Sequence, residues 1–226
     1  MSCESKNLRA NPFEPGVEPG RVNVEPFSDG DKRDKAKLRI QEYIKHFPDV
    51  EKKIIVLYGY PGCGKSYFAK YYSKTVTSKL ELIYVSARDD LQVSNNLAAV
   101  YSIVIKCLDD LEEKGYSRPA GYEEIMKSYL RLEKIIPATF ERYLKRVFDS
   151  LRDQGLRGII VFLDEVEFLI TDKKSEDVRE LLKLFGFVEH FDLGFVLAIN
   201  PKEHEILRTS WVGLERRERH YLNECE

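Results

Sequence analysis

Apolar runs alternate with amphipathic stretches along most of this chain. Four short apolar runs predict strands, at residues 54–58, 80–86, 158–163 and 194–199. The second alternates and ends in a polar cluster, whereas the others are almost continuously apolar, as in strands that are covered on both faces. Apolar residues at helical spacing predict helices at 31–47, 66–74, 95–111, 122–154 (broken at Pro137), 175–189 and 203–207, and a last short strand is expected at 219–222. Because strands alternate with helices, we expect an α/β fold, a three-layer sandwich around a five-stranded parallel sheet.

The first 30 residues have a different composition from the rest of the chain. Prolines and glycines recur there at spacings that no long helix or strand tolerates: Pro12, Pro15, Pro19, Pro26, Gly16, Gly20 and Gly30. We therefore expect an extended N-terminal arm at residues 1–30 and an α/β nucleotide-binding core at residues 31–226.

The charge balance argues against a general affinity for nucleic acid. The 226 residues include 36 Lys and Arg against 38 Asp and Glu, which gives a net charge of −2. Any DNA contact must come from a local patch. Two basic clusters exist, and the solvated face of a helix explains the first more simply. They are Lys32, Arg33, Lys35, Lys37 and Arg39, and Arg208, Arg216, Arg217, Arg219 and His220.

The cysteines and the apolar runs bear on the compartment. Four cysteines lie far apart without metal-binding spacing, so free thiols in a reducing compartment are expected. Every apolar run is shorter than the roughly 18–20 residues that span a bilayer, and the N-terminus lacks a signal-peptide core. A cytoplasmic protein without membrane contact is the expectation.

One segment after the first predicted strand carries a specific motif. Residues 59–66 read Gly-Tyr-Pro-Gly-Cys-Gly-Lys-Ser and match G-x-x-x-x-G-K-[ST] at every fixed position. A strand, a glycine-rich turn and a helix N-terminus therefore adjoin, which is the arrangement of a phosphate-binding loop. The motif predicts that the chain binds a nucleoside triphosphate.

The motif suggests a role for each of its groups. Backbone N–H groups of residues 62–64 would face the β-phosphate, since glycines leave room for the anion. Lys65 would reach the β- and γ-phosphates, and the Ser66 hydroxyl would bind Mg²⁺. With ATP or ADP and Mg²⁺ as ligands, the expected nucleotide-binding residues are Gly59, Pro61, Gly62, Cys63, Gly64, Lys65, Ser66 and Tyr67.

Acidic and amide side chains follow two later strands. Asp164 and Glu165 end the third apolar run, and Asn200 ends the fourth. Since open α/β sheets place ligands at the carboxyl ends of their strands, we expect these groups beside the phosphate loop. Asp164 would help to hold Mg²⁺, Glu165 would polarise the attacking water, and Asn200 would orient that water. Simple turns that end two strands are the alternative explanation.

Together these motifs resemble those of the AAA+ ATPases. The resemblance is carried by residues 58–66, 161–169 and 198–200, and by Pro26-Phe27 in the arm. Within that superfamily the chain looks most like the clade of origin-recognition and replication-initiator proteins. The resemblance implies the AAA+ strand order, hydrolysis of ATP with Mg²⁺, and a DNA or replication-protein partner.

The resemblance also implies that an arginine from a neighbouring subunit completes each site. The segment 213–219 lies where this residue is expected, with Arg216 as first candidate, Arg217 as second and Arg208 as third. A guanidinium there would stabilise charge on the transferred γ-phosphoryl group. Self-association through such an arginine is expected, and a solvated charged segment is the competing interpretation.

The AAA+ proteins carry a helical lid after the last strand, and initiators add a winged-helix domain. The sequence stops at Glu226, so we expect neither element here and weak turnover by the isolated chain. A nucleotide-gated signalling scaffold of the STAND kind, with slow turnover, is the alternative function. A small-molecule kinase shares the loop, but Asn200 after Asp164-Glu165 favours attack by water.

Overall fold

The computed structural model describes most of the chain between residues 31 and 221. The described ranges are 31–50, 53–74, 79–91, 96–130, 137–171, 191–210 and 219–221, together with Val178, Leu181 and Phe185. The predicted arm at residues 1–30 and most of the helix predicted at 175–189 lie outside these ranges.

The described elements follow the predicted alternation of strands and helices. The helices are α1 (Asp31–His46), α2 (Lys65–Ser73), α3 (Asn96–Glu113), α4 (Tyr122–Leu130), α5 (Pro137–Asp153), α6 (Glu167–Ile170) and α7 (Pro201–Ser210). The strands are β1 (Ile54–Tyr58), β2 (Leu80–Ser86), β3 (Gly158–Asp164), β4 (Leu193–Ile199) and β5 (Arg219–Tyr221). The pattern did not predict α6. The helix α7 is longer than predicted and begins at Pro201, a residue that suits a first helical turn.

The sheet has the order β2-β3-β4-β1-β5, and every described pairing is parallel. Four strands of five or seven residues form its body. The remaining strand, β5, contributes only three residues beside β1. The predicted α/β class with a parallel sheet is therefore confirmed.

Both faces of the sheet are covered. Along β1, Ile54 and Val56 belong to one apolar cluster, whereas Ile55 and Leu57 belong to the other. The first cluster is completed by α3 and α5, and the second by α1 and α2. Because successive residues of a strand point to opposite faces, this division places helices on both sides of the sheet. The central strands β3 and β4 are buried at every position.

The end of α1 packs closely against β4. A Cβ added at Gly194 would collide with the Tyr43 hydroxyl and would lie 2.5 Å from Cε2 of Phe47. Tyr43 Oη in turn donates a hydrogen bond of 2.7 Å to the Lys53 carbonyl oxygen, just before β1. The absence of a side chain at Gly194 therefore lets α1 approach the strand that leads to Asn200.

We expect Gly194→Ala to destabilise the fold by about 1–3 kcal/mol, because the added methyl group overpacks this contact. Thermal unfolding followed by circular dichroism would measure the change. Tyr43→Phe removes the nearest atom at the cost of the hydrogen bond to Lys53. The double variant should therefore lose less stability than the sum of the single losses. Additive losses would contradict close packing at this point.

Two cysteines lie in the described part of the chain, and both are buried thiols that form no disulfide there. Cys63 is in the phosphate loop and Cys107 is in α3. Burial raises the pKa of the Cys107 thiol far above its usual range, so it stays protonated and unreactive. The expectation of free thiols is confirmed for these two residues.

The helices of the described ranges are short or amphipathic. None of them combines the length and the apolar character that a bilayer crossing requires.

Candidate functional site

The strand register brings the predicted site residues to one edge of the sheet. Tyr58 at the end of β1 pairs with Ile199 at the end of β4, and the Gly59 amide donates to the Ile199 carbonyl oxygen at 3.2 Å. On the other side of β4, Asp164 at the end of β3 pairs with Ser86 at the end of β2. The carboxyl ends of four adjacent strands therefore surround one site, as expected for an open parallel sheet.

The phosphate loop contains two glycines whose conformation other residues rarely adopt. Gly62 has φ +83° and Gly64 has φ +92°. A Cβ added at either position would meet nothing within 4 Å, so the requirement for glycine there is conformational rather than one of space. These glycines turn the chain from the end of β1 into the first turn of α2.

The N-terminus of α2 is open to an anion. Gly64 is the N-cap residue, and no side chain caps the first turn. The first N–H groups of a helix lack partners within the helix, and the helix dipole favours negative charge there. The residues predicted to bind nucleotide around this turn differ in their exposure to solvent. Pro61 is exposed in the loop, Cys63 is buried, and Ser66 and Tyr67 are partly exposed in α2.

Lys65 is almost buried, with 8% of its surface exposed, and its ammonium group is held inside the loop. Nζ donates to the carbonyl oxygens of Gly59 at 2.6 Å and Tyr60 at 3.2 Å. It also donates to Oδ1 of Asn200 at 3.1 Å. The predicted phosphate-binding cation and the predicted water-orienting amide are therefore in direct contact.

Asp164 is buried at the end of β3, and both of its carboxylate oxygens accept hydrogen bonds. Oδ1 accepts from the Glu165 backbone amide at 2.9 Å, and Oδ2 accepts from the Tyr84 hydroxyl at 3.0 Å. Burial, followed by the nearby charge of Asp164, raises the pKa of the Tyr84 phenol well above its usual range. Tyr84 therefore stays protonated and remains a donor to Asp164.

Glu165 has an unusual backbone conformation. Its φ of +54° lies in the left-handed region, which costs a residue with a side chain about 1 kcal/mol or more. Its side chain is held across the strand ends, because Ser86 Oγ donates to Oε2 at 2.8 Å. This hydrogen bond holds the carboxylate at the end of β2.

Asn200 joins the loop to a residue that the motifs did not predict. Its Oδ1 accepts from Lys65, while its Nδ2 donates to Oε1 of Glu167 at 2.8 Å. Glu167 begins α6, three residues after Asp164. Its other oxygen, Oε2, is buried without a hydrogen-bond partner in the described part of the protein.

Burial raises the pKa of the Glu167 carboxyl above its ordinary value. Its backbone hydrogen bond and the positive charge of Lys65 lower the pKa, whereas the negative charges of Asp164 and Glu203 raise it further. Between the ordinary and the raised pKa, the folded protein binds more protons than the unfolded chain. The stability that this proton contributes is present at low pH and is lost as pH rises through the raised value.

We therefore expect Glu167→Gln, which does not titrate, to gain stability relative to wild type as pH rises above about 4.5, the ordinary carboxyl value. Unfolding midpoints of both proteins, measured in urea from pH 4.5 to 8, would give the difference. Glu123→Gln, at an exposed position in α4, is the matched control. A difference that stays constant with pH would contradict a raised pKa.

The donors at this edge suit Mg²⁺. The Ser66 hydroxyl and the Asp164 carboxylate are hard oxygen donors, which is the chemistry that Mg²⁺ prefers. Since Mg²⁺ usually keeps several waters and is completed by substrate phosphates, two protein ligands are enough. No cluster of three or more His, Cys, Asp or Glu side chains suited to a metal occurs among the described residues.

The described residues bring together part of the predicted set and add to it. Lys65 and Asn200 touch, and Asp164 and Glu165 occupy the adjacent strand end. The candidate arginines Arg216 and Arg217 lie outside the described ranges, and the side chain of Arg208 is also outside them. The motifs missed Tyr84, Ser86 and Glu167. Of these, Ser86 had a usable signal, because it is a polar residue at the end of a predicted strand.

The fold is similar to that of several solved structures. The Walker-type ATPase of Pyrococcus abyssi is 16% identical with a TM-score of 0.50, and the match covers 84% of this chain and 53% of that one. AMPPCP-bound DnaA from Aquifex aeolicus is 17% identical with a TM-score of 0.47, covering 87% and 48%. The DnaC helicase loader is 15% identical with a TM-score of 0.42, covering 88% and 94%. The chain thus spans about half the length of the first two.

The structural similarities show only the fold of the chain. The family to which the chain belongs is shown by a match to a family model. No curated protein sequence matches the chain. The model described as "AAA domain" matches residues 49–207, a span that runs from just before β1 into α7 and takes up well over half of the chain. The span contains the phosphate loop, Asp164, Glu165 and Asn200. The chain therefore belongs to the AAA domain family, the AAA+ P-loop ATPases that its motifs resemble.

Proposed function

We propose that this chain binds ATP with Mg²⁺ and hydrolyses it, and that its nucleotide state controls contacts with its own copies or with a replication partner. The observation that supports this most is the 3.1 Å contact between Lys65 and Asn200. It places the cation of the phosphate loop against the strand end expected to present the attacking water.

Binding would exchange the partners of Lys65. Its ammonium now donates to two backbone carbonyl oxygens and to one amide oxygen. The β- and γ-phosphate oxygens carry formal charge and are stronger acceptors than these neutral groups. A triphosphate lying along the open N-terminus of α2 would therefore draw the ammonium away from Asn200.

Hydrolysis would then need a base and an oriented water. The water oxygen forms a bond to the γ-phosphorus, and the bond from that phosphorus to the bridging oxygen breaks, so that ADP leaves with the electron pair. The water proton passes to the Glu165 carboxylate and then to solvent. Asn200 would hold the water in line, and Ser86 would keep the Glu165 carboxylate at the strand ends.

Ser66 and Asp164 are the residues that would hold Mg²⁺. The ion would neutralise charge on the β- and γ-phosphates. Tyr84 and the Glu165 amide would orient the Asp164 carboxylate through the hydrogen bonds that they already make.

Self-association and binding partners are also part of the proposed function. The initiator-like motifs support a role in DNA replication, and the cytoplasm is the compartment that we propose. Arg216 or Arg217 of one copy would stabilise the γ-phosphoryl charge in the site of the next, which would couple hydrolysis to self-association. Lys32, Arg33 and Lys35 are the candidate DNA contacts. Neutralising all three should lower DNA affinity, and an unchanged affinity would exclude this contact.

A switch with slow turnover is the second candidate, and one observation favours it. In the described structure Lys65 is held by three oxygen acceptors, so nucleotide binding must break an existing network. Two arrangements of the same residues are what a nucleotide-gated scaffold requires.

Phosphate release from Mg²⁺-ATP by the purified chain, at several protein concentrations, tests the proposal. We expect release above that of an identically prepared Lys65→Ala protein, and loss of release when Mg²⁺ is chelated. Equal release by the two proteins would contradict hydrolysis. A size change between ADP and a non-hydrolysable ATP analogue, without turnover, would favour the switch.

A further inference from the structure

The amide of Asn200 is constrained on both sides. Lys65 has only donors on its ammonium group, so the atom of Asn200 that faces it must be the carbonyl oxygen. An ionised Glu167 carboxylate has only acceptors, so the atom that faces it must be the NH₂ group. The opposite orientation would place like groups together at both contacts. The hydrogen-bonding partners alone therefore determine which way the amide lies.

Glu167 is held in place for this contact. The turn before it is bonded to β4, because the Val166 amide donates to the Ala198 carbonyl oxygen at 3.4 Å. The Thr171 amide donates to the Glu167 carbonyl oxygen at 2.8 Å and closes the single turn of α6. Burying a carboxylate is costly unless it is hydrogen-bonded, and Oε1 of Glu167 accepts the hydrogen bond from Asn200. The partly exposed Glu167 side chain is therefore tied to Asn200 through Oε1.

We propose that Glu167 is a positioning residue, which fixes Asn200 so that its carbonyl oxygen, and not its NH₂ group, faces the phosphate-binding side. The inference rests on the proposed hydrolysis at this site. When Lys65 moves to the phosphates, Oδ1 of Asn200 loses its donor and becomes an acceptor for one O–H of the attacking water. The second O–H points to Glu165, and an oxygen lone pair is left for the γ-phosphorus. Asn200 thereby acts as an acceptor toward water rather than as a donor to the γ-phosphate.

Substitutions of Glu167 and Asn200 test the inference, because they change which of the two side chains donates and which accepts the hydrogen bond between them. Glu167→Ala should lower kcat by about 10-fold or more, since the amide is free to turn, while nucleotide affinity changes by less than about 3-fold. Glu167→Gln still offers a carbonyl acceptor and should retain several times the turnover of Glu167→Ala. Asn200→Asp places two carboxylates together and should be the weakest variant.

The double variant Asn200→Asp with Glu167→Gln restores a donor facing an acceptor, now with their positions exchanged. An acceptor still faces the phosphate-binding side, so kcat should recover about 10-fold over Asn200→Asp. Unfolding midpoints of all four proteins separate this effect from folding, and Glu123→Gln is the control for a remote carboxylate. A double variant that regains stability without turnover would overturn the inference, as would a Glu167→Ala protein with wild-type kcat.

A second measurement keeps the inference testable if the wild type releases no phosphate, which would contradict the proposed hydrolysis itself. The side-chain NH₂ signals of Asn200 in a ¹⁵N correlation spectrum can be assigned by their loss in Asn200→Asp. These signals should shift in Glu167→Ala, because the NH₂ group then loses the carboxylate acceptor that it has in the wild type. Signals that do not respond to Glu167→Ala would show that Glu167 does not hold the amide.

Discussion

Glutamine in place of Glu165 is expected to lower phosphate release from ATP by about 10²- to 10⁴-fold, the usual contribution of a general base. The amide has nearly the same shape as the carboxylate, and its carbonyl oxygen can still accept the hydrogen bond from Ser86. What is lost is the ability to take the water proton. The effect should therefore fall on kcat, with nucleotide affinity close to that of wild type.

Single-turnover phosphate release and equilibrium binding of a fluorescent ATP analogue would separate these two effects. Glu123→Gln makes the same chemical change at an exposed position of α4 and serves as the matched control. Turnover by Glu165→Gln at the wild-type rate would remove Glu165 from the mechanism. A large loss of affinity would instead assign this residue a role in binding.

Loss of the ammonium group in Lys65→Ala should weaken nucleotide binding by at least about 100-fold. Hydrogen bonds to charged groups contribute about 1.5–3 kcal/mol each, and Lys65 is placed to make more than one with the phosphates. The substitution also leaves the Gly59 and Tyr60 carbonyl oxygens without their present donor. A small loss of stability should accompany the loss of binding.

Isothermal titration with ATP and with ADP, in the presence of Mg²⁺, would measure the change in affinity. Lys74→Ala is the matched control, since Lys74 is exposed at the C-terminal end of the same helix, away from the loop. Nucleotide affinity equal to that of Lys74→Ala would exclude Lys65 from phosphate binding. The titrations with ATP and with ADP should both be carried out below the unfolding temperature of the less stable variant.

The strand ends could be predicted because they depend on local pattern. A buried parallel strand is a short apolar run, and the polar residue that ends it marks the edge of the sheet. Asp164 and Asn200 are recognisable for this reason, and β4 between β1 and β3 brings them beside the loop. The glycine motif is equally local, because its two left-handed residues need glycine wherever the loop lies.

The remaining contacts depend on register and could not be predicted in the same way. Ser86 meets Glu165 only because β2 pairs with β3 so that Ser86 lies opposite Asp164. Glu167 reaches Asn200 because a single helical turn follows β3, and four residues are too few to show helical periodicity. Tyr84 lies in a strand, where aromatic residues are common. Its presence in the sequence therefore does not indicate that its hydroxyl contacts Asp164.

The burial of β3 and β4 at every position has a consequence for amide hydrogen exchange. Strands at the centre of a sheet usually open only when the whole domain unfolds, whereas exposed loops open locally at little cost. Asp164 and Asn200 therefore adjoin the slowest-exchanging backbone, while Tyr60 and Pro61 belong to an exposed turn. A bound nucleotide would slow exchange mainly in that turn, so the loop would adapt to the ligand while the strand ends stay fixed.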